Sequence, residues 1–146
     1  NAFCGDYSEL KTFFHGHTYT GNPIACAAAI ASIDLFKKEK TLIQLQEKIK
    51  LLKEKLSLIT KLSQTGEVRQ AGFMVGIEMV KNKKTGESYP WQEKMGIKVI
   101  MEARKRGVII RPLGNVIVLM PPLSISEDEL ITLVDVVYES ILKMTK

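Results

Sequence analysis

Between Leu42 and Ile59 the apolar residues Leu42, Leu45, Ile49, Leu52, Leu56 and Ile59 recur at spacings of three and four. That spacing predicts an α-helix from about Thr41 to Thr60 with one apolar stripe. Lys48, Lys50, Lys53 and Lys55 fall mostly off the stripe and read as a solvated face. The run is shorter than three heptads and has no continuation, which disfavours a coiled coil. A helix with one apolar side has to bury it, and a sheet is the simplest partner.

The following residues supply that sheet. Gly66, Gly72 and Gly76 punctuate two β-type runs, about Glu67–Gln70 and Phe73–Val80. In the second, Val75, Ile77 and Met79 alternate with Met74 and Gly76, which separates an apolar face from an open one. Asn82-Lys83-Lys84-Thr85-Gly86-Glu87 is a polar turn region. Ser88-Tyr89-Pro90-Trp91 reads equally as cover for a substrate mouth or as a hydrophobic plug. Gln92 to Arg106 predicts a helix with Met95, Val99, Ile100 and Ala103 inward. Gly107 ends it as a C′ residue, and Arg104, Lys105 and Arg106 suit the negative end of its dipole.

Val108-Ile109-Ile110 then reads as a buried strand, Leu113-Gly114-Asn115 as a tight turn, and Val116–Met120 as the return strand of a hairpin. Pro121-Pro122 stops it. Ser126 and Glu129 have capping-box spacing at the head of a last helix. That helix runs to about Met144, with Leu130, Leu133, Val134, Val137 and Ile141 apolar. With an earlier helix from Asn22 to about Lys38, the order is helix-helix-strand-strand-helix-strand-strand-helix. This is an α+β fold in which helices cover one face of a small, mainly antiparallel sheet.

Composition narrows the class. The 146 residues suffice for a core and fit one domain or one and a half. A hydrophobic fraction of 45% and a charged fraction of 25% are those of a soluble globular protein. No apolar run approaches about 18 residues, so no membrane span is expected. No signal peptide is visible, and Asn1, not a natural initiator, suggests a cut chain. The net charge is +5, but the lysines are scattered along helices rather than gathered with aromatics, so no nucleic-acid partner is expected. Cys4 and Cys26 have neither metal nor redox spacing, and Cys26 reads as a small buried apolar group in a reduced, cytoplasmic setting. His15 and His17 flank a glycine without a Cys or carboxylate nearby, a poor basis for a metal site. Phe3, Tyr7, Leu10, Phe13 and Phe14 are too apolar for a free tail.

Two places carry chemistry. His15-Gly16-His17-Thr18-Tyr19-Thr20-Gly21-Asn22-Pro23 is a polar loop that enters an Ala-rich helix, with Asn22 as N-cap and Pro23 at the first helical position. Free N–H groups at such a helix start can hold an anion, although a capped core helix after an ordinary loop has the same signature. Ala25, Ala27, Ala28, Ala29 and Ala31 allow close packing of that helix. The other place is Arg111, at a strand turn beside Pro112. A guanidinium held there can grip a carboxylate with two parallel hydrogen bonds, or sit in a weak surface ion pair.

His-Gly-x-Thr-Tyr-x-Gly-Asn-Pro before an Ala-rich helix resembles the class III aminotransferases, which depend on pyridoxal phosphate. Gly107-Val108-Ile109-Ile110-Arg111-Pro112-Leu113-Gly114-Asn115, running into Leu119-Met120-Pro121-Pro122-Leu123, is similar to the C-terminal domain of the same family. So is the block Gly66–Glu78, which matches the first small-domain strands. The likeness covers nearly the whole chain and is greatest toward the branch that serves biotin synthesis. It implies that residues 1–38 end the large cofactor-binding domain and that 39–146 form the C-terminal small domain of a fold-type I transferase. Family members run to roughly three domain-lengths. The lysine that carries the cofactor, the aspartate on its pyridine nitrogen and a phosphate loop are then expected outside these residues, and the fragment alone is expected to be inactive.

The resemblance further implies that Thr18, with His17 beside it, reaches the cofactor phosphate of the opposite subunit in a homodimer. It makes Arg111 the residue that binds the carboxylate of a keto-acid substrate, with Leu113 beside the aliphatic chain. Arg69 is expected to pin the small-domain sheet. The amino donor is expected to be S-adenosylmethionine, or lysine as in some relatives. Another class III ω-amino-acid transaminase, or a non-catalytic truncated domain that binds a partner, are the competing readings.

Overall fold

The helical stripe packs on a sheet in the computed structural model, which describes residues 2–145. Four helices, α1 (Pro23–Lys38), α2 (Thr41–Thr60), α3 (Met95–Lys105) and α4 (Glu127–Met144), accompany five strands. These are β1 (Thr65–Ala71), β2 (Met74–Asn82), β3 (Glu87–Ser88), β4 (Arg111–Leu113) and β5 (Val116–Leu119). The main sheet has the order β1-β2-β5-β4, β3 pairs with β2, and every pairing is antiparallel. The fold is α+β. The chain divides into two units, Asn1–Lys40 and Thr41–Lys146.

The second unit holds the core. Register places Val68, Ile77, Ile117 and Pro112 side by side across the four strands. Residues paired across a sheet point to the same face. Val75, Ile77 and Met79 of β2 and Ile117 and Leu119 of β5 are buried there, as the alternation predicts. Leu52, Leu56 and Ile59 of α2 and Leu130, Val134, Val137 and Ile141 of α4 close over them. Leu42, at the start of the predicted stripe, is exposed instead. By helical rise α2 is about 30 Å long, whereas β1 spans about 23 Å, so the helix is longer than the strand it covers. The lysine face of α2 is only partly a solvated one. Lys48 Nζ donates to Ile125 O at 2.6 Å, and Lys55 pairs with Asp135 of α4 at 3.5 Å.

Two other boundaries differ from the sequence reading. The helix expected from Gln92 begins at Met95, because Trp91–Glu93 form a 3-10 turn and Lys94 is left-handed at φ 50°. Val108–Ile110 is not a strand, and Ile109 is 78% exposed. Gly107, at φ 85°, turns the chain back on α3. Its N–H donates to Arg104 O and that of Val108 to Ala103 O, a Schellman arrangement. Continuing the Arg111↔Val118 register would also set Val108 opposite Pro121, which has no N–H to give.

Local signals elsewhere fold as read. Ser126 and Glu129 form the reciprocal capping box of α4, and Asn22 Oδ1 caps α1 by accepting from Ala25 N at 3.0 Å. Among the described residues of the first unit none is buried, and Cys26 is exposed on α1 rather than buried. A unit of this size has too little apolar surface of its own to enclose a core. Phe3 and Phe13 nevertheless meet edge to face at 5.1 Å between ring centres.

Glu102 of α3 is buried and carries three cations: Lys143 of α4 at 2.8 Å, Arg106 at 3.4 Å and Lys105 at 3.5 Å. The Lys143 hydrogen bond, foremost among these, holds the Glu102 carboxyl below the ordinary carboxylate range. A carboxyl lowered in the folded state stabilises the fold above its unfolded pKa, about 4.3, and that contribution disappears as pH falls through the folded value. Glu102→Gln is therefore expected to unfold at lower denaturant than the parent at pH 7. The two curves should converge below about pH 4.3. A gap that stays constant down to pH 2 would remove ionised Glu102 as its cause.

Candidate functional site

The sheet face opposite the core carries two arginines in one row. Pairing aligns Arg69, Gly76, Val118 and Arg111 across β1, β2, β5 and β4. Glu78, Val116 and Leu113 form the adjacent row. The two arginines are treated differently. Arg69 Nη1 donates to Glu67 at 2.5 Å and to Glu78 at 3.1 Å, which raises its pKa and ties β1 to β2. The Arg111 side chain makes no hydrogen bond or ion pair among the described residues. It stands exposed at the start of an edge strand with Leu113 on the same face. A guanidinium without an internal partner keeps its fork of donors for an incoming carboxylate or phosphate.

Arg111 and Leu113 open onto a groove of about 1180 Å³. Its other walls include Val108, Ile109, Met120 and Leu133, with Asp128 at the first turn of α4. The surface is mainly apolar with a cation at one side, which suits a chain that ends in an anion.

The hairpin that presents Arg111 is braced at its tip. Gly114 takes φ 60° and Asn115 does not, the pattern of a two-residue turn with glycine first. Asn115 Nδ2 donates to Tyr89 O at 2.7 Å, and Met79 N donates to Asn115 O at 2.9 Å. Gly96 of α3 lies under the hairpin. A Cβ there would stand 2.2 Å from Gly114 O and 3.0 Å from Pro112 Cβ, closer than real contacts allow. Tyr89 is half-buried against the core, whereas Trp91 is 71% exposed, with its ring 3.7 Å from the position a Gly114 Cβ would take. Tyr89 therefore acts as a hydrophobic plug, while Trp91 stays open to solvent beside the hairpin tip. Gly96 escaped the sequence reading; its one signal was a glycine inside a predicted helix, where glycine costs stability unless something needs the space.

His17 and Thr18 belong to the first unit and Arg111 to the second. Two successive turns shape the loop before α1: Thr20 N donates to His17 O, and Asn22 N to Tyr19 O. His17 Nδ1 accepts from Tyr19 N at 3.3 Å, which fixes its ring and leaves Nε2 outward. Among the described residues Thr18 has no partner for its N–H or its hydroxyl. The helix start is less open to an anion than the sequence suggests. Pro23 has no N–H, Asn22 takes the N–H of Ala25, and the Cys26 N–H is spent on Asn22 O. Among the described residues, the free donors this loop and turn offer include the Ile24 N–H and the N–H and hydroxyl of Thr18. Among the described residues no group of three or more His, Cys, Asp or Glu could hold a metal, and no helix is long and apolar enough to cross a membrane.

Residues 3–141 match the family described as aminotransferase class-III, and the chain belongs to that family. Curated relatives include the adenosylmethionine-8-amino-7-oxononanoate aminotransferases of Geobacter sulfurreducens, 50% identical over 99% of this chain, and of Aquifex aeolicus, 51% identical over all of it. Each match covers 32% of the relative, so the chain spans about a third of their length. The crystal structure of the Methanocaldococcus jannaschii protein of that name superposes with a TM-score of 0.86 at 48% identity, over 97% of this chain and 32% of that one. An (S)-enantioselective omega-transaminase from Thermomicrobium roseum superposes at 0.85 with 32% identity, over 92% of this chain and 30% of its own.

Proposed function

We propose that this chain is the C-terminal part of an enzyme that transfers an amino group to 8-amino-7-oxononanoate, giving 7,8-diaminononanoate for biotin synthesis. The observation that carries this is graded identity. It is 50% and 51% over essentially the whole chain toward proteins named for that reaction, and 33% toward a probable γ-aminobutyrate transaminase of Oryza sativa. In this reading residues 1–38 end the large domain and 39–146 form the small one. Arg111 grips the substrate carboxylate through paired charge-assisted hydrogen bonds, and Leu113 flanks the aliphatic chain.

The cofactor of the reading is pyridoxal 5′-phosphate. When bound it supplies the electron sink for amino transfer, while the protein supplies aim and binding. The residues present fit its phosphate side, because Thr18 has an N–H and a hydroxyl both free for an oxyanion. Thr18, with His17 shaping the loop, would hold the phosphate across the interface of a homodimer with shared active sites. S-adenosylmethionine is the proposed amino donor, lysine the alternative, and the cytoplasm the proposed location.

The test is an assay of the full-length protein with 8-amino-7-oxononanoate and either donor, with diamine product read by mass spectrometry. Diaminononanoate supports the reading. Turnover confined to ω-amino acids such as 4-aminobutyrate overturns it in favour of a different class III transaminase. Thr18→Ala is expected to weaken cofactor retention about tenfold, the scale of one hydrogen bond to a charged group. Cofactor titration of the apoenzyme measures this, and an unchanged affinity would remove Thr18 from the phosphate site.

A further inference from the structure

Arg111 sits on an edge strand of three residues, bonded on one side only, and no hydrogen bond of its own side chain fixes it. Its position therefore depends on whatever holds the hairpin. Two contacts do so from different parts of the second unit. Gly96 lets α3 press against Pro112, the neighbour of Arg111, and against the Gly114 carbonyl. Asn115 ties the tip to the Tyr89 carbonyl, in the segment that joins β3 to α3. The remaining tip bond, Met79 N to Asn115 O, is made by backbone and is indifferent to side-chain identity.

We propose that Asn115 and Gly96 are positioning residues for Arg111: together they hold the β4–β5 hairpin at two contacts and set where the guanidinium meets the substrate carboxylate. The inference rests on Arg111 being the carboxylate-binding residue. Asn115 supplies the bond that resists rotation of the tip, and Gly96 supplies the space that lets the strand lie against α3. Small misplacements of a binding group are costly. Loss of the tip bond lets the guanidinium drift out of the paired geometry, and giving up one of its two charge-assisted hydrogen bonds should cost about tenfold.

The experiment measures Kd for 8-amino-7-oxononanoate and for its methyl ester by calorimetry, on the full-length holoenzyme without amino donor. Melting temperatures are recorded on the same samples. The variants are Asn115→Ala, Gly96→Ala, Arg111→Ala and the Arg111→Ala/Asn115→Ala pair. Asn115→Ala is expected to weaken the acid about tenfold and to leave the ester, which lacks the charge Arg111 reads, within twofold. In the Arg111→Ala background Asn115→Ala should add nothing, because both changes act through one guanidinium. If Asn115→Ala does not accumulate as folded protein, Gly96→Ala tests the clamp at its other contact by the same readouts. Acid and ester weakened alike, or a lowered melting temperature with both Kd values unchanged, would show a purely structural role and overturn the proposal. If Arg111→Ala itself leaves acid binding unchanged, the carboxylate reading has failed and the clamp proposal falls with it. If Arg111→Ala weakens the acid and Asn115→Ala does not, the clamp alone is wrong.

Discussion

If the full-length protein acts as proposed and Arg111 grips the substrate carboxylate, replacing Arg111 by alanine is expected to lower kcat/KM for 8-amino-7-oxononanoate by about 10²-fold, almost entirely through KM. A hydrogen bond to a charged group contributes about 1.5–3 kcal/mol, and a guanidinium can give a carboxylate two of them. Loss of about 2.7 kcal/mol corresponds to a hundredfold change. The carboxylate lies far from the carbon that receives the amino group, so its contact is as strong in the ground state as in the transition state. Removing such an interaction raises KM and spares kcat. Arg111→Lys should recover only part of the loss, because an ammonium is a point charge without the planar fork. Arg69→Ala should leave KM alone, since Arg69 is already engaged through Nη1 with Glu67 and Glu78. Steady-state kinetics with acid and methyl ester decide it. An Arg111→Ala enzyme with unaltered KM for the acid would exclude the residue from the substrate site.

That contrast between Arg111 and Arg69 also shows where sequence reading stops. Both arginines are near the ends of strand-like runs and look alike in the linear chain. Only the fold places Glu78 within reach of Arg69 and leaves the Arg111 side chain without a hydrogen-bond or ion-pair partner among the described residues. Signals confined to a few neighbouring residues were legible: the Ser126–Glu129 box, the Asn22 cap before Pro23, the Gly107 stop and the Gly114-Asn115 turn. Their physics closes within one turn of chain. Signals set by distant partners were not. Val108–Ile110 has the composition of a buried strand, yet the register would have set its first residue, Val108, opposite Pro121. Gly96 is informative only once Gly114 is seen above it, and Lys48 became a loop tether only because Ile125 is delivered to it by α4. Cys26 and the alanines of α1 were read as packing surface, but packing needs a partner, and the first unit holds none of its own. The resemblance pointed to Thr18, and the structure adds that its donors are free. It also shows that Asn22 has closed most of the helix start on which the simpler electrostatic argument relied.

Ile77→Ala is expected to be the most damaging single truncation in the second unit, at about 3–4 kcal/mol in this chain. Ile77 is fully buried at the middle of the row Val68–Ile77–Ile117, with neighbours on both flanking strands and the helical layer above. Central strands cannot collapse into a void as an edge can, so the lost transfer energy and the cavity add. Ile77→Val, which removes one methylene, should cost about 1 kcal/mol at the same site. Met74 lies on the same strand three residues away and therefore faces the other side of the sheet, 56% exposed. Met74→Ala should change stability by no more than about 0.5 kcal/mol. Urea unfolding at unchanged m value separates the three. The contrast is a test of register as much as of packing, because a slip of one residue would exchange the two faces and turn Met74 inward. It would also carry Arg111 from the open face to the core side if β4 followed. Equal losses for Ile77→Ala and Met74→Ala would thus overturn the alignment of Arg69, Gly76, Val118 and Arg111, and with it the geometric basis for the substrate site.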